Sequence, residues 1–216
     1  MARIVIAASG YRGSTGLLVA GVARERGHGV VELTDLGDDP AVGRALDGAD
    51  AIVLIPRRGN AWRHTHQAVR TLMAAATPVG ELPPHLVLLS SFAVGHGPAH
   101  PLNRIDDALL PGRVAAEEEL RAGGLPYTVV RPTWFTDDPP GSHALTFTQH
   151  PRPDGMVARA DIAATLVAAV EIPAARSTTF ALYNEPGEPV ADWAAAFAHL
   201  RPDTDDQPGP DPEDLS

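Results

Sequence analysis

The sequence contains no cysteine and no lysine among its 216 residues. Without cysteine, disulfides, thiolate metal ligands and cysteine nucleophiles are excluded. Without lysine, Schiff-base chemistry, a P-loop lysine and any other catalytic lysine are excluded as well. All 17 basic residues are therefore arginine, whose guanidinium binds anions but does not exchange protons in proteins.

Long apolar runs are also absent, and none approaches the roughly 20 residues that a membrane helix needs. The N-terminus, Met-Ala-Arg, leads directly into a strand-like run. This leaves no room for a signal peptide, so we expect a cytoplasmic protein. The net charge is −10 and the arginines form no basic stripe, so we expect neither nucleic-acid nor membrane binding. The expected partner is a small-molecule substrate, and a homodimer stays open.

The acidic residues are concentrated at the C-terminus. Residues 202–216, PDTDDQPGPDPEDLS, contain six acidic residues, four prolines and no basic residue. Such a segment cannot bury enough apolar surface to fold. We predict one domain over residues 1–201 and a disordered tail over 202–216.

Short β-branched runs alternate with helical patterns along this domain. The predicted strands are 3–8, 29–34, 51–56, 85–91, 127–132 and 178–184, and the predicted helices lie near 14–26, 39–47, 61–76, 113–123, 161–171 and 190–200. Several strands are apolar on both faces, as in a parallel sheet covered by helices on both sides. The alternation predicts an α/β, Rossmann-type doubly wound parallel sheet. Residues 132–158, rich in Pro, Gly, His and Asp, are expected to stay outside the sheet as a substrate loop.

The stretch SGYRGSTG, residues 9–16, lies between the first strand and the first helix. Gly10, Gly13 and Gly16 permit a tight turn, an approach of backbone N–H groups to a pyrophosphate, and close packing of helix on strand. Ser14 stands at the start of the helix, whose N-terminus favours an anion. We interpret the stretch as a phosphate cradle rather than a purely structural turn.

Four stretches resemble the atypical short-chain dehydrogenase/reductases, specifically the NmrA-like NAD(P)H-binding group. They are SGYRGSTG, LLSS at 88–91, RVAAEEELRAGGLPYTVVRP at 113–132 and ARADIAATLVAAV at 158–170. Each is weakly specific alone, but together they occur in the family's order and span nearly all of residues 3–200. The resemblance implies a Rossmann-type fold and a nicotinamide cofactor.

Residues near the second and third strands bear on which cofactor, NAD or NADP, is bound. Asp35 follows the second strand, where a carboxylate accepts hydrogen bonds from ribose hydroxyls and repels a 2′-phosphate. Arg12 in the glycine loop pairs well with such a phosphate. The two signals conflict, with a slight preference for NAD. Arg57 follows the third strand at the end of the sheet where such folds bind ligands.

The family resemblance implies a Tyr-x-x-x-Lys pair at the start of the helix before the fifth strand. Here Leu109 and Arg113 occupy those positions, so the usual acid–base pair is absent. We take Ser91, at the end of the fourth strand, His96 and Arg113 as candidate catalytic residues. Arg113 can anchor a ribose or an anionic substrate. His96 can exchange protons near neutral pH, and the alternative is an ordinary polar histidine of the loop.

Successive strand side chains point to opposite faces, so only one of Ser90 and Ser91 can face the cofactor, and Ser91 is chosen because it lies at the strand end. Ser90 and Pro132 complete the expected cofactor-binding residues. Trp134 and Phe135 either floor a substrate pocket or pack in the interior, and their place in a loop after the fifth strand favours the pocket. The histidines are not accompanied by carboxylate residues that would complete a metal site, so no metal is expected. Glu117, Glu118 and Glu119 are interpreted as a solvated helix face near Arg121, and Asp161 as a helix N-cap.

Three functions follow from this pattern. The first is an oxidoreductase-like enzyme that uses NAD or NADP and acts on a small hydrophobic carbonyl, quinone or aromatic compound. The second is a non-catalytic NAD(P)-binding sensor or regulator, which the missing tyrosine and lysine favour. The third is a redox-neutral isomerase or cyclase in the same pocket. The retained substrate loop puts the enzyme first.

Overall fold

The computed structural model of the chain describes residues 1–8, 14–57, 59–76, 82–96, 99–104, 109–150 and 154–203. The strands are β1 (Arg3–Ala8), β2 (Gly29–Leu33), β3 (Ala51–Ile55), β4 (His85–Leu89), β5 (Tyr127–Pro132), β6 (Trp134–Thr136), β7 (Ala144–Thr148), β8 (Met156–Ala158) and β9 (Thr178–Glu185). The helices are α1 (Ser14–Glu25), α2 (Asp39–Leu46), α3 (Ala68–Ala75), α4 (Leu109–Ala122), α5 (Arg159–Glu171) and α6 (Trp193–Phe197). A π-helical turn, Trp62–Gln67, leads into α3, and 3-10 turns span Pro101–Arg104 and Pro173–Ala175.

Seven strands form one sheet in the order β2-β1-β3-β4-β5-β9-β7, and β6 pairs with β8 in a small second sheet. Every pairing in the large sheet is parallel except that of β7 with β9. The chain passes from β1 outward to β2 and then back to β3 on the other side of β1. This reversal makes a crevice at the carboxyl ends of β1 and β3, where doubly wound sheets bind ligands. The predicted α/β doubly wound fold is confirmed.

The two faces of the sheet carry separate cores because successive strand side chains point to opposite sides. Ile4 and Ile6 of β1 pack with α1 and α5, whereas Val5 and Ala7 pack with the side chains of α2, α3 and α4. Both faces are therefore covered, which is why the strands are apolar at nearly every position.

Two boundaries differ from the sequence predictions. Residues 144–148 were expected outside the sheet, but β7 pairs antiparallel with β9 and forms its edge. The domain also extends past residue 201, because the Asp203 carboxylate accepts hydrogen bonds from the backbone N–H of Thr179 at 3.0 Å and from the Tyr127 hydroxyl at 3.0 Å. The rest of the predicted tail, 204–216, lies outside the described residues.

Candidate active site

The crevice at the carboxyl ends of the parallel strands collects most of the predicted site residues. The glycine loop follows β1 in the sequence, but Gly10, Arg12 and Gly13 lie outside the described residues. Gly16 lies on α1, and a Cβ at this position would come within 3.3 Å of the Ala8 Cβ. This tight approach of the first helix to the first strand is the role of the third glycine in a dinucleotide-binding loop. The described part of the loop therefore fits a dinucleotide.

Asp35 and Arg57 follow β2 and β3 and are both exposed. One carboxylate oxygen of Asp35 accepts a hydrogen bond from the Gly37 N–H at 2.8 Å, which orders the turn after β2. The carboxylate thus stands at the end of the second strand, where a ribose is read in this fold. Arg57 lies two residues beyond Ile55, the last residue of β3.

Ser90 and Ser91 extend β4 and direct their side chains differently. The Ser90 N–H still bonds to the Val130 carbonyl at 2.7 Å, so the chain is extended there and consecutive side chains point to opposite faces. The Ser90 hydroxyl donates to Glu117 at 2.5 Å, whereas the Ser91 hydroxyl accepts from the Ala93 N–H at 3.3 Å. Both serines are buried. A cofactor contact by Ser90 would therefore fall to its backbone.

Arg113 reaches from α4 to the end of β4. Its guanidinium Nη1 donates to the Leu89 carbonyl at 3.4 Å, one residue before Ser90. Leu109, four residues earlier on the same helix, is buried. Pro132, at the end of β5, is buried, and its carbonyl accepts the Phe92 N–H at 3.2 Å. Arg113, Ser91 and Pro132 are thus joined through the ends of β4 and β5.

Four rings line this end of the sheet. The centroids of His96 and His100 lie 4.9 Å apart, those of His100 and Phe92 6.1 Å apart, and those of Phe92 and Trp134 5.4 Å apart. We call these four residues the ring cluster. Burial and the neighbouring charge of His96 lower the pKa of His100. The cluster places a proton-exchanging group and an apolar surface above β4 and β5.

Trp134 and Phe135 occupy different surroundings. Trp134 is 41% exposed beside Phe92, and its partner in the parallel β6–β8 register is Met156, which is 57% exposed. Phe135 points away and lies beneath the Arg159 guanidinium, 4.9 Å from its ring centroid. The exposed apolar side chains are consistent with a pocket surface at Trp134, whereas Phe135 packs.

Glu117 is the residue that the sequence interpretation placed wrongly. Its side chain is buried rather than solvated, and it accepts hydrogen bonds from Arg131 at 2.5 Å and Arg121 at 2.9 Å in addition to Ser90. Burial alone would raise the pKa of Glu117, but the two guanidinium groups and the Ser90 hydroxyl hold it below its ordinary value. The sequence contained one usable signal, Arg131 inside the apolar strand TVVRP, since a charge there requires a partner.

Asp161 is also not the helix cap that was expected. The α5 helix begins at Arg159, with Ala158 at its N-cap. The buried Asp161 carboxylate instead accepts from the Gly141 N–H at 3.2 Å and from the Asn184 amide at 2.9 Å. It therefore joins the segment before β7 to β9. Among the described residues, no group of three or more His, Asp or Glu side chains is arranged to hold a metal ion.

The crevice, the packed Gly16 and the carboxylate after β2 together define a dinucleotide-binding protein of the Rossmann type. The sequence profile of the family described as NAD(P)H-binding matches residues 13–173. The chain belongs to this NAD(P)H-binding family. In the part of the chain that the structure describes, no helix is both long and apolar enough to span a membrane.

Individual proteins resemble the chain more distantly. Sanguinarine reductase from Eschscholzia californica is 32% identical over 124 residues, covering 54% of this chain and 45% of that protein. A putative NAD-dependent epimerase/dehydratase from Bacillus halodurans has a TM-score of 0.73 at 18% identity, covering 93% of this chain and 100% of that one. A short-chain dehydrogenase/reductase from Veillonella parvula in complex with NADP has a TM-score of 0.62 at 16% identity, covering 87% and 96% of the two chains. The chain spans less than half of the length of the curated relatives it matches.

Proposed function

We propose that the chain is an NAD(P)H-dependent reductase that acts on a small hydrophobic carbonyl, quinone or aromatic compound without the Tyr-x-x-x-Lys pair. The observation that carries the proposal is the arrangement at the ends of β4 and β5. Ser91, Arg113 and the ring cluster lie there beside exposed apolar side chains. The similarity to sanguinarine reductase supports the reductase assignment.

The chain's own groups divide the work. Gly10, Gly13, Ser14 and Gly16 would hold the pyrophosphate, and Asp35 the adenosine ribose. Ser90 and Pro132 would border the nicotinamide half through their backbone. When bound, the reduced nicotinamide supplies a hydride, so the protein needs only to orient the two molecules and supply a proton.

The reacting oxygen requires a hydrogen-bond donor and a proton. The Ser91 hydroxyl already accepts from Ala93, which leaves its O–H to donate to the substrate oxygen. Arg113 would donate hydrogen bonds to the ribose or pair with an anionic substrate, but it does not give up a proton. His96 is the group proposed to exchange it near neutral pH.

The exposed Asp35 carboxylate favours NADH over NADPH, because it would repel a 2′-phosphate. Arg12 and Arg57 are the groups that would oppose this preference by pairing with that phosphate. The NADP complex of the Veillonella parvula protein shows that a related fold accommodates the phosphate. The two cofactors must therefore be compared directly.

Calorimetric titration of the purified chain with NADH and with NADPH tests the cofactor, after a check for nucleotide carried through purification. We expect tighter binding of NADH, and a loss of that preference in Asp35→Asn. Turnover is then measured with phenanthrenequinone as the probe. Tight binding of neither dinucleotide would refute the proposal, as would binding without turnover of this or other carbonyl probes.

A non-catalytic NAD(P)-binding sensor is the second candidate. The specific observation in its favour is Leu109, which is buried where the family places its tyrosine. A sensor binds the oxidised and reduced cofactors with different affinity and turns over no substrate. Ser91→Ala separates the two functions, since it lowers turnover in a reductase and leaves cofactor affinity unchanged.

A further inference from the structure

The two histidines of the ring cluster are closer to one another than His100 is to Phe92. Their centroids are 4.9 Å apart with planes tilted by 55°. The backbone N–H of His96 donates to the Ala93 carbonyl at 3.0 Å, and the backbone N–H of Asn103 donates to the His100 carbonyl at 2.9 Å. Backbone hydrogen bonds thus fix both histidines, one in the turn after β4 and the other at the start of the 3-10 turn.

The protonation of His100 is constrained by its backbone neighbour. The Leu102 N–H donates to His100 Nδ1 at 3.3 Å. An Nδ1 that accepts a hydrogen bond carries no proton, so the neutral ring carries its proton on Nε2. Nε2 is therefore the donor atom of neutral His100.

Two imidazoles at this separation do not readily carry two positive charges, because like charges raise each other's cost of ionisation. The second proton therefore binds at a lower pH than the first, and the titration belongs to the pair. Between the two steps the pair holds one charged ring, which can donate, beside one neutral ring. Among the residues that the structure describes, the neighbouring elements carry Arg104 in the 3-10 turn, Arg113 on α4 and Asp138 after β6.

The proposed reductase leaves a proton to be accounted for. Carbonyl reduction adds a hydride to carbon and a proton to oxygen. The family tyrosine is replaced by Leu109. Arg113 does not give up a proton, and a serine hydroxyl can supply protons through repeated turnovers only if another group replaces its proton each time. The histidine pair lies at the same end of the sheet, and both rings are partly exposed, so water can restore the proton.

We propose that His96 and His100 act as a coupled pair, in which His96 delivers the proton to the substrate oxygen and His100 is a positioning residue that acts through His96. The proposal rests on the proposed reductase function. As the hydride reaches the substrate carbon, the carbonyl π pair moves to oxygen. An N–H bond of His96 breaks and an O–H bond forms, so the pair loses one proton and one positive charge. Phe92 and Trp134 provide apolar rings next to the pair.

The test compares His96→Gln, His100→Gln and the double variant, with His150→Gln as the matched control on an exposed position after β7. The assay uses phenanthrenequinone and whichever reduced dinucleotide the wild type binds. Each single change is expected to lower kcat about 100-fold. The double variant should be no slower than the slower single variant, because residues that act as a unit are non-additive. The wild-type rate should fall as pH rises through the titration of the pair. This fall should be absent from His96→Gln and from the double variant, and it should move to higher pH in His100→Gln, where the like charge beside His96 is removed.

Proton NMR of the imidazole C–H signals provides a readout that needs neither cofactor nor turnover. Replacing His96 removes the like charge, so His96→Gln is expected to raise the pKa of His100. Retention of wild-type turnover in His100→Gln with a pH-dependent fall at the wild-type pH, or an unchanged His100 titration in His96→Gln, overturns the pair alone. A wild type that binds the dinucleotide but reduces no carbonyl probe overturns the reductase function and the pair with it.

Discussion

At the scale of a single residue, Glu117 is a buried carboxylate near the site that needs hydrogen-bond donors from several elements. Its side chain is 1% exposed and accepts hydrogen bonds from Arg131, Arg121 and Ser90, whereas the side chains of Arg131 and Arg121 are 26% and 32% exposed. A buried carboxylate is costly unless its oxygens are fully paired. Here the donors come from the helix, from β5 and from the end of β4, so the one anion ties together the three elements that border the site.

Glu117→Gln is expected to destabilise the chain by about 3 kcal/mol, because it removes the charge that compensates two guanidinium groups. The matched control is Glu118→Gln, the adjacent exposed residue, for which a change within about 0.5 kcal/mol is expected. Urea unfolding of both variants and the wild type provides the measurement. Equal effects of the two substitutions would show that the buried network contributes nothing specific.

The same residue shows why single-residue environments are harder to predict than strands. Glu117, Glu118 and Glu119 are identical in chemistry, and only the tertiary position of Arg131 distinguishes the first of them. Asp161 was misassigned for a related reason. A carboxylate near the start of a helix predicts an N-cap, but α5 begins at Arg159 and the carboxylate turns to Asn184 instead.

At the scale of elements, the start of α4 packs closely against the π-helical turn only because Gly112 has no side chain. A Cβ there would come within 2.8 Å of the Ala61 carbonyl carbon and 2.9 Å of the Trp62 nitrogen. Both contacts are to backbone, which cannot move aside as a flexible side chain can. Close approach of α4 to the π-helical turn thus sets the position of the next residue, Arg113.

Gly112→Ala is expected to destabilise the chain by roughly 1–3 kcal/mol through overpacking and to weaken dinucleotide binding by displacing Arg113. Gly43→Ala in α2 is the matched control, since a Cβ there meets no atom within 4 Å. It should stabilise by up to about 1 kcal/mol through helix propensity. Thermal unfolding and calorimetric titration check both variants, and a stabilising Gly112→Ala would contradict the packing argument.

Elements with a strong hydrophobic pattern were predictable from the sequence. The run around β4 is buried throughout, His85–Leu89, and such continuous runs are typical of parallel strands covered on both faces. The strand β7, ALTFT, was missed because four of its five positions are only partly buried, and because proline and glycine surround it. For the candidate site, the sequence predicted that the carboxyl ends of the strands meet at one end of the sheet. It did not predict that the Ser90 side chain, rather than that of Ser91, faces α4.

At the scale of the whole molecule, His85 couples folding to pH from the amino end of the central strand β4, at the end of the sheet opposite the site. Its Nε2 lies 2.9 Å from the Thr128 hydroxyl oxygen, and that hydroxyl donates to the Ala175 carbonyl at 2.6 Å. The Thr128 oxygen is therefore the acceptor and Nε2 carries the proton. Burial and the charge of Arg176 lower the pKa of His85 from 6.5 to about 4.

The direction of the pH effect follows from proton binding in the two states. Between pH 6.5 and about 4 the unfolded chain binds a proton at His85 and the folded chain does not. The free energy of unfolding must therefore fall as pH is lowered through this window. The full contribution is roughly 3–4 kcal/mol, taking about 1.4 kcal/mol per unit of pKa shift. Glu117, whose pKa is held low, loses its own contribution only below its ordinary pKa of 4.5.

Replacing His85 by Gln should remove this loss, although the variant can be less stable than the wild type at pH 7. We expect its free energy of unfolding to change less between pH 6.5 and 4.5 than that of the wild type, by roughly 2–3 kcal/mol. Urea unfolding across this window, with His150→Gln as an exposed control, measures the difference in slope. If His85→Gln and the wild type lost stability in parallel, the acid sensitivity of the fold would have to originate outside this histidine.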